Sequence, residues 1–207
     1  HEPEGEAPHR GLRLHLSSRS LPMMVLLSVS SGSSHGSLAA CSARRLAACC
    51  VEPELRLNLT DDRHFRRWID ALTLEADRVE FANPAFRKEL GYWIGQGVFG
   101  APPVTARLEQ VAVSRTDLGE PVAEQDHAIV NSTPVIGLIC AAGDSHLIHV
   151  RAGQLFERLW LTATAMGVSV HPMSQTMRRP ELRSAVAELL PSSGWTPQHL
   201  FRVGFSA

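Results

Sequence analysis

The sequence lacks any apolar run long enough to cross a bilayer, and it carries almost no net charge. Its longest apolar run, from Leu21 to Leu27, is interrupted by Pro22, whereas a spanning helix needs about 20 apolar residues. A formal net charge of -1 gives no electrostatic reason to bind nucleic acid or an acidic membrane. We therefore expect no membrane partner and no nucleic-acid partner.

Cysteine is scarce and badly spaced for a disulfide framework. Three of the four cysteines lie within residues 41–50 and the fourth is Cys140, so reduced thiols in a cytoplasmic protein are the simpler interpretation. A secretory signal is the alternative, because arginines precede the apolar run and Leu38-Ala39-Ala40-Cys41 resembles a lipoprotein cleavage box. Acidic residues at the start and the Ser/Gly-rich stretch 28–37 argue against a signal, and we expect a cytoplasmic protein.

The common phosphate-binding loops and catalytic motifs are also absent. The sequence contains neither G-x-G-x-x-G after a strand nor G-x-x-x-x-G-K-[ST]. The consecutive residues Asp144, Ser145 and His146 cannot converge as a triad, so we expect a helix cap there. Irregular spacing also argues against a zinc site at Cys140, His146, His149 and His171.

Amphipathic helices and short strands account for most of the chain. Residues 149–167 repeat apolar side chains at three- and four-residue spacing and end at Gly167, which predicts a helix followed by a strand at 168–172. Near-continuous apolar residues at 134–141 predict a central strand. Alternation predicts further strands at 12–16 and 55–59, and 200–205 is a candidate closing strand.

Further helices are predicted from caps and periodicity, at 38–50, after Thr60-Asp61-Asp62, from Asn83-Pro84 onward, at 104–113 and at 180–190. The Gly/Pro-rich loop between residues 95 and 103 is either a lid or a connector, and 114–124 is expected to be a polar turn region. We expect a disordered terminus at 1–10 and a single domain at 11–207. Within it, 11–59 is weakly specified and 60–125 is a helical linker or lid region.

The order of several weak motifs resembles the nitroreductase superfamily of flavin proteins. They are the Gly153-Gln154 helix, the strand exit His171-Pro172-Met173-Ser174-Gln175 and the closing Pro197-Gln198-His199-Leu200-Phe201-Arg202-Val203-Gly204-Phe205. The resemblance is clearest over 130–207 and looser back to Leu55. It is stronger to the branch in which two nitroreductase-like halves are fused, the Acg-like proteins.

This resemblance implies an α+β fold with a mixed or antiparallel central sheet packed by helices. It also implies an FMN-dependent oxidoreductase that takes electrons from NAD(P)H and passes them to a small nitro, quinone or similar acceptor. The flavin carries that chemistry, so no catalytic side chain is predicted. The alternative is a degenerate, non-catalytic protein of the same fold that binds or sequesters flavin or forms an interaction surface.

The cofactor-binding positions implied by the resemblance are Pro172, Met173, Ser174 and Gln175, beside the flavin ring, and Arg202, within reach of its phosphate. Ser174 and Gln175 have a second interpretation as caps of the turn before Pro180, and Arg202 as the partner of an acid such as Glu181. The family's N-terminal phosphate-binding helix has no convincing match here, and Arg44-Arg45 is an unsupported substitute. Because family flavins lie between two subunits or halves, we expect a homodimer or a pseudo-dimeric arrangement.

Overall fold

A computed structural model describes residues 27–28, 40–190 and 194–205 of the chain. Within these ranges it contains seven helices and five strands. They are β1 (Leu27–Ser28), α1 (Ala40–Ala47), β2 (Leu55–Thr60), α2 (Arg63–Ala82), α3 (Pro84–Gly95), α4 (Pro103–Arg115), α5 (Gly119–Ser132), β3 (Val135–Ala141), α6 (His146–Ala165), β4 (Ser169–Pro172), α7 (Pro180–Glu188) and β5 (Thr196–Gly204). The expected terminus at 1–10 and the expected strand at 12–16 lie outside the described residues.

The strands form one mixed sheet in the order β1-β2-β3-β5-β4. Only β1 and β2 run parallel; β2, β3, β5 and β4 are antiparallel to their neighbours. Every residue of β3 is buried, as expected for a near-continuous apolar strand in the middle of a sheet. Helices cover both faces, so the α+β class and the mixed sheet packed by helices are confirmed.

One face of the sheet packs against α1 and α6. The apolar stripe of α6 buries Leu155, Leu159 and Ala163 against Ile139 and Phe201 of the sheet. These helix residues recur at three- and four-residue spacing because they share one side of the helix. We call this side of the sheet the α6 face.

The opposite face packs against α2, α5 and α7, and we call it the α2/α5 face. Its core contains Ile69 of α2, Val130 of α5 and Val186 of α7, packed on Leu138 and Leu200. Alternate residues of β5 therefore contribute to opposite cores, with Leu200 on this face and Phe201 on the other.

Capping side chains begin three helices where the sequence predicts them. The amide of Phe65 donates to Asp62 Oδ1 at 2.7 Å, and the amide of Ala85 donates to Asn83 Oδ1 at 2.9 Å. Ser145 Oγ accepts from the amide of Ile148 at 3.4 Å, which confirms its role as the cap of α6. Gly167 ends the α6 segment with a φ of 68°, which glycine adopts without strain.

The prediction of a polar turn at 114–124 is wrong, because α5 begins at Gly119. Its N-cap, Leu118, makes no side-chain capping bond, and the nearest substitute is Asp117, whose Oδ1 accepts from the amide of Gly119 at 2.9 Å. The helix is instead stabilised by tertiary packing of Ala123 and Val130. Tertiary burial thus overrides a weak local signal here.

Helices α3 and α4 pack mainly against each other as a hairpin, joined by the predicted Gly/Pro-rich loop. The two helices approach closely at Gly91 and Gly95, where an added Cβ would lie 2.1 Å from Ser114 Oγ and 2.2 Å from Gln110 Oε1. The hairpin exposes a set of large apolar residues: Tyr92, Trp93, Val98, Phe99, Val104, Leu108 and Val111. Among the described helices, none is long and apolar enough to span a membrane.

Candidate functional site

A cleft of about 340 Å³ opens at one end of the sheet, on the α6 face. Since β5 is antiparallel to both β3 and β4, the carboxyl ends of β3 and β4 meet the amino end of β5 here. The first half of α6, the start of β5 and the turn after β4 surround it. The lining residues are His149, Ala152, Gly153, Phe156, Met177, Arg183, Gln198 and His199.

A β-bulge brings two consecutive residues of β5 into the cleft. Cys140 opposes Pro197 and Ile139 opposes His199, which leaves Gln198 as an extra residue in β5. Neighbouring strand residues normally point to opposite faces, but a bulge re-aims one of them. Gln198 and His199 therefore both line the cleft.

Three aromatic rings form the wall behind the cleft. The ring centroids of Phe156 and His199 are 4.2 Å apart in an edge-to-face arrangement, and His199 stacks at 6.0 Å on the fully buried Phe201. Phe201 in turn covers Gly137 of β3, where an added Cβ would lie 2.2 Å from its ring. A glycine at 137 is thus required for the position of this wall.

The His199 imidazole is a neutral polar group with an unused nitrogen. Burial lowers the pKa of His199 below the ordinary histidine value, so the ring is uncharged at neutral pH. Its Nε2 atom is buried and has no hydrogen-bond partner. A neutral imidazole nitrogen is either a donor or an acceptor, and this one is closed off from the cleft by the surrounding side chains.

A charge-balanced network closes one end of the cleft around Asp144. Arg183 donates to both Asp144 oxygens, at 2.6 and 3.2 Å, and its Nε donates to the Pro197 carbonyl at 2.7 Å. His149 Nε2 lies 2.9 Å from Asp144 Oδ1, and Gln198 Nε2 donates to the same oxygen at 3.1 Å. The hydrogen bonds from Arg183, His149 and Gln198 hold the pKa of Asp144 far below its usual range. The network thus places no uncompensated charge beside the cleft.

The predicted flavin-contacting turn follows β4 at the same end of the sheet. Pro172 is half-buried, and Met173 is 3% exposed in the core of the α2/α5 face. The Met173 amide donates to the Leu200 carbonyl at 2.8 Å. Ser174 is exposed, and the Gln175 side chain donates to Asp126 Oδ2 at 3.0 Å. The Gln175 amide group therefore reaches α5 instead of capping the turn.

The backbone of this turn offers free hydrogen-bond donors. The Ser174 carbonyl accepts from the amides of Met177 and Arg178, both at 3.1 Å, which makes one helical turn. The amides of Ser174, Gln175 and Thr176 donate to no other group among the described residues. Such first-turn amides are suited to an electronegative atom of a ligand.

Arg202 lies on the other face of the sheet from the cleft, in register with His171 of β4 and Ile136 of β3. Burial lowers its pKa, the charge of Asp126 raises it, and its Nε is buried without a hydrogen bond. Glu181, the acid named as an example of a partner for Arg202, pairs with Arg179 at 2.7 Å, and the acid whose charge acts on Arg202 is Asp126. Its role as a phosphate ligand stays a prediction.

A buried acid on the α2/α5 face, Asp77, beside the half-buried Asp126, was missed by sequence reasoning. Asp77 is 4% exposed on α2, and its carboxyl group hydrogen-bonds Asp126 of α5. Burial, together with the charge of Asp126, raises the pKa of Asp77 to about 7. The signal was present in the sequence, because Ile69, Thr73 and Asp77 follow one another at four-residue spacing on the buried side of α2.

Two further polar contacts join the turn after β4 to α2. The buried hydroxyl groups of Thr73 and Thr176 are 3.5 Å apart, and Arg178 pairs with Glu80 at 2.7 Å. The turn therefore joins the two faces, since Met177 lines the cleft and Gln175 and Thr176 reach toward α2 and α5. In the described part of the chain, no group of three or more His, Cys, Asp or Glu side chains is arranged to hold a metal ion.

Comparison with known proteins gives a partial likeness. No protein-family model matches the chain. Two curated proteins of Mycobacterium tuberculosis, from the CDC 1551 / Oshkosh and the ATCC 25618 / H37Rv strains, are 36% identical to it over 63 residues, and both bear the provisional name NAD(P)H nitroreductase. The matched stretch covers 30% of this chain and only 18% of each relative. This agrees with the resemblance to nitroreductases at the level of the superfamily.

Proposed function

We propose that the chain belongs to an oxidoreductase of nitroreductase-like fold that uses FMN to pass electrons from NAD(P)H to a small nitro, quinone or similar acceptor. The observation that carries the proposal is the 36% identity over 63 residues to two proteins named as NAD(P)H nitroreductases. It is supported by the cleft and the donor-rich turn, which lie at the same end of the sheet. Such strand ends are common ligand sites in folds of this kind.

The residues on the ring-facing side fit a flavin. The free amides of Ser174 and Gln175, which are exposed and half-buried, would hold the polar edge of the ring. When bound, FMN supplies the hydride-accepting and electron-donating chemistry, and the protein supplies position and electrostatics. The Met173 side chain, which lies in the core, would contribute packing beneath the turn instead of a direct contact.

The residues on the phosphate-facing side favour the alternative, a non-catalytic protein of the same fold. Arg183, the arginine that lines the cleft, is already paired with Asp144, and Arg178 and Arg179 are paired with Glu80 and Glu181. Arg202 lies on the opposite face. None of these four arginines is free on the cleft side, so a phosphate would have to be held by other residues or by a second copy or half.

Association of two copies is supported by the α3–α4 hairpin. Its exposed apolar residues include Phe99, which is 67% exposed, and Leu108, which is 69% exposed. Several large apolar residues exposed on one hairpin are typical of protein interfaces. The hairpin would then supply the contact through which a homodimer or pseudo-dimer completes the flavin site.

One experiment tests these proposals together. The purified chain is incubated with FMN and passed over a sizing column with absorbance read in the flavin bands, and the coloured fraction is titrated anaerobically with NADH or NADPH. A yellow dimer that is bleached supports the enzyme, and a yellow protein that is not bleached supports the non-catalytic alternative. A colourless protein that cannot be reconstituted with FMN contradicts both the flavin enzyme and the non-catalytic flavin-binding protein.

The same sizing experiment tests whether association depends on the hairpin or on any exposed apolar residue. We expect Phe99→Asp to shift the protein toward the monomer and to weaken flavin retention. Val51→Asp is the matched control, because Val51 is 71% exposed but lies outside the hairpin. A strictly monomeric wild-type protein that retains flavin would overturn the assembly proposal.

A further inference from the structure

The turn after β4, residues 173–178, is joined to α5 and α2 by the side chain of Gln175. Its Nε2 donates to Asp126 Oδ2 of α5 at 3.0 Å, and the same amide group also hydrogen-bonds Asp77 of α2. Gln175 thus bridges two acids that lie on different helices. A single helical turn has little stability of its own, so the position of this segment depends on its contacts with the two helices.

The two acids that Gln175 contacts are in contact with each other and share one proton. Asp77 is 4% exposed, and its carboxyl group hydrogen-bonds the half-buried Asp126. Two carboxyl groups hydrogen-bond only when one of them carries a proton. Asp77 Oδ2 is buried and has no hydrogen-bond partner, so an ionised Asp77 would lack the solvation that a carboxylate needs. Burial therefore places the shared proton on Asp77.

The acid pair has charged and titratable neighbours on α2, α5, β4, β5 and the turn. They are Asp70 and Glu80 of α2, His127 of α5, His171 of β4, Arg202 of β5 and Arg178 of the turn. Asp70 pairs with His127, Glu80 pairs with Arg178, and Arg202 lies within range of the charge of Asp126. Burial and the charge of Arg202 lower the pKa of His171, so it is uncharged at neutral pH. Each other acid thus has a basic partner, whereas the groups that act most strongly on Asp77 are acids and Gln175.

The proton on Asp77 is lost close to neutral pH. Burial and the charge of Asp126 raise the pKa of Asp77 to about 7, against an ordinary value of 3.8. The turn in its closed position therefore binds the proton more tightly than a released turn, in which the carboxyl group meets water. Rising pH must then favour release. Once both acids are ionised they repel each other, and Gln175 loses the geometry that lets it bridge them.

We propose that the proton shared by Asp77 and Asp126 is a pH-sensitive clamp, which fixes the turn after β4 against α2 and α5 through Gln175 and whose loss promotes release of the turn. The turn carries Met177, which lines the cleft, and the free backbone amides. The clamp thus controls the shape of the cleft and the position of those donors. It is built from this chain alone and needs no flavin; only its consequence for FMN binding rests on the proposed function.

Hydrogen exchange on the full chain without added cofactor measures the release. The reporters are the amides of Met177 and Arg178, which both donate to the Ser174 carbonyl at 3.1 Å. Protection factors, which correct for the faster intrinsic exchange at high pH, report how often the turn opens. We expect them to fall about tenfold between about pH 6 and about pH 8.5. The amide of Val168, which donates to the Ala163 carbonyl at 2.9 Å before β4, is the internal reference and should keep its protection.

Two variants assign the clamp. Asp77→Asn cannot ionise but can still donate to Asp126, so it should keep its protection at high pH. Gln175→Leu cuts the bridge between the acids and the turn, so protection should be low at both pH values while stability to urea still depends on pH. Gln198→Leu is the matched control, because this glutamine lines the cleft instead. Gln198→Leu and His171→Asn should both retain the fall of about tenfold.

Three results would overturn the proposal. They are wild-type protection that does not change with pH, a fall of the wild-type size in Asp77→Asn, and a fall of the wild-type size in Gln175→Leu. If FMN binds as proposed, the wild-type protein should retain it less tightly at high pH and Asp77→Asn should not. A protein that shows the exchange result but never takes up FMN would keep the clamp and remove the proposed function. A yellow, reducible protein whose turn amides ignore pH would do the reverse.

Discussion

The two faces of the sheet use polar side chains differently at the end where the cleft opens. On the α6 face, Arg183, Gln198 and His199 border an open cleft. On the α2/α5 face, Asp77, Asp126 and Gln175 contact one another, and Asp77 Oδ2 and Arg202 Nε are buried without a partner. The first arrangement leaves polar groups beside open space, whereas the second couples stability to pH through a buried carboxyl group.

The turn after β4 connects these two environments. Its Met177 lines the cleft, while Gln175 and Thr176 contact α5 and α2. A change in the buried acids therefore acts on the same segment that the proposed flavin contact uses. The two faces are structurally distinct but share this one segment.

The largest expected effect comes from Gly137→Val, which would disrupt the α6 face. A Cβ at this position lies 2.2 Å from Phe201, whose ring carries the aromatic wall of the cleft and is fully buried. We expect the free energy of unfolding to fall by about 3 kcal/mol, since an overpacked strand must displace that ring. Urea unfolding measures the loss.

Gly153→Ala is the matched control for this substitution, because its added methyl group meets no atom. We expect it to raise the free energy of unfolding by up to about 1 kcal/mol. A Gly137→Val protein within experimental error of the wild type would show that Phe201 does not lie over Gly137.

Much of the fold could be predicted from local sequence, because the signals are local. The caps Asp62, Asn83 and Ser145 and the apolar run of β3 act through their immediate neighbours. Helix α5 could not be predicted in this way, since its first residues carry no capping side chain and its burial depends on contacts distant in sequence. The nitroreductase-like identity of the fold stays at the level of resemblance.

The candidate site was harder to predict for a specific reason. Gln198 and His199 face the cleft together only because β5 contains an extra residue relative to β3. That offset is a property of the pairing between two strands, and neither strand shows it alone. Sequence reasoning named the turn at Pro172–Gln175 from resemblance, but it missed the bulge and the cleft.

A smaller effect on stability is expected from Asp77→Asn, which tests the α2/α5 face. The folded pKa of Asp77 is about 7, against an ordinary value of 3.8, so the folded protein binds more protons than the unfolded chain between these limits. Stability therefore falls as pH rises through this window and levels off above it. Asparagine cannot ionise, so the variant should lose this slope and be about 2 kcal/mol more stable than the wild type at pH 8.

Urea unfolding between about pH 4.5 and pH 8 measures this dependence. The other charged groups around Asp77 are Asp126, Glu80 and Arg178, and they remain in the variant. Glu109→Gln, which removes an exposed acid of α4, should keep the slope of the wild type. An unchanged slope in Asp77→Asn would show that the buried acid is already ionised at low pH.

The smallest effect on stability is expected from Asp144→Asn, which tests the polar network beside the cleft on the α6 face. Hydrogen bonds from Arg183, His149 and Gln198 depress the pKa of Asp144, so its ionised form contributes stability above the ordinary carboxyl pKa and loses it on acidification. Its side chain is 46% exposed, and solvent screening limits the contribution to about 0.5 kcal/mol at neutral pH. The difference between the variant and the wild type should shrink toward about pH 3.

Ser145→Ala is the neighbouring control, because a lost helix cap costs a similar free energy that does not depend on pH. We thus predict that the two acids contribute opposite slopes to the plot of unfolding free energy against pH. The contribution of Asp77 falls as pH rises, and the contribution of Asp144 rises with pH. Equal slopes for the two variants would contradict the contrast between the two faces. On the α2/α5 face the carboxyl group of Asp77 is held protonated, whereas beside the cleft the carboxyl group of Asp144 is held ionised by Arg183.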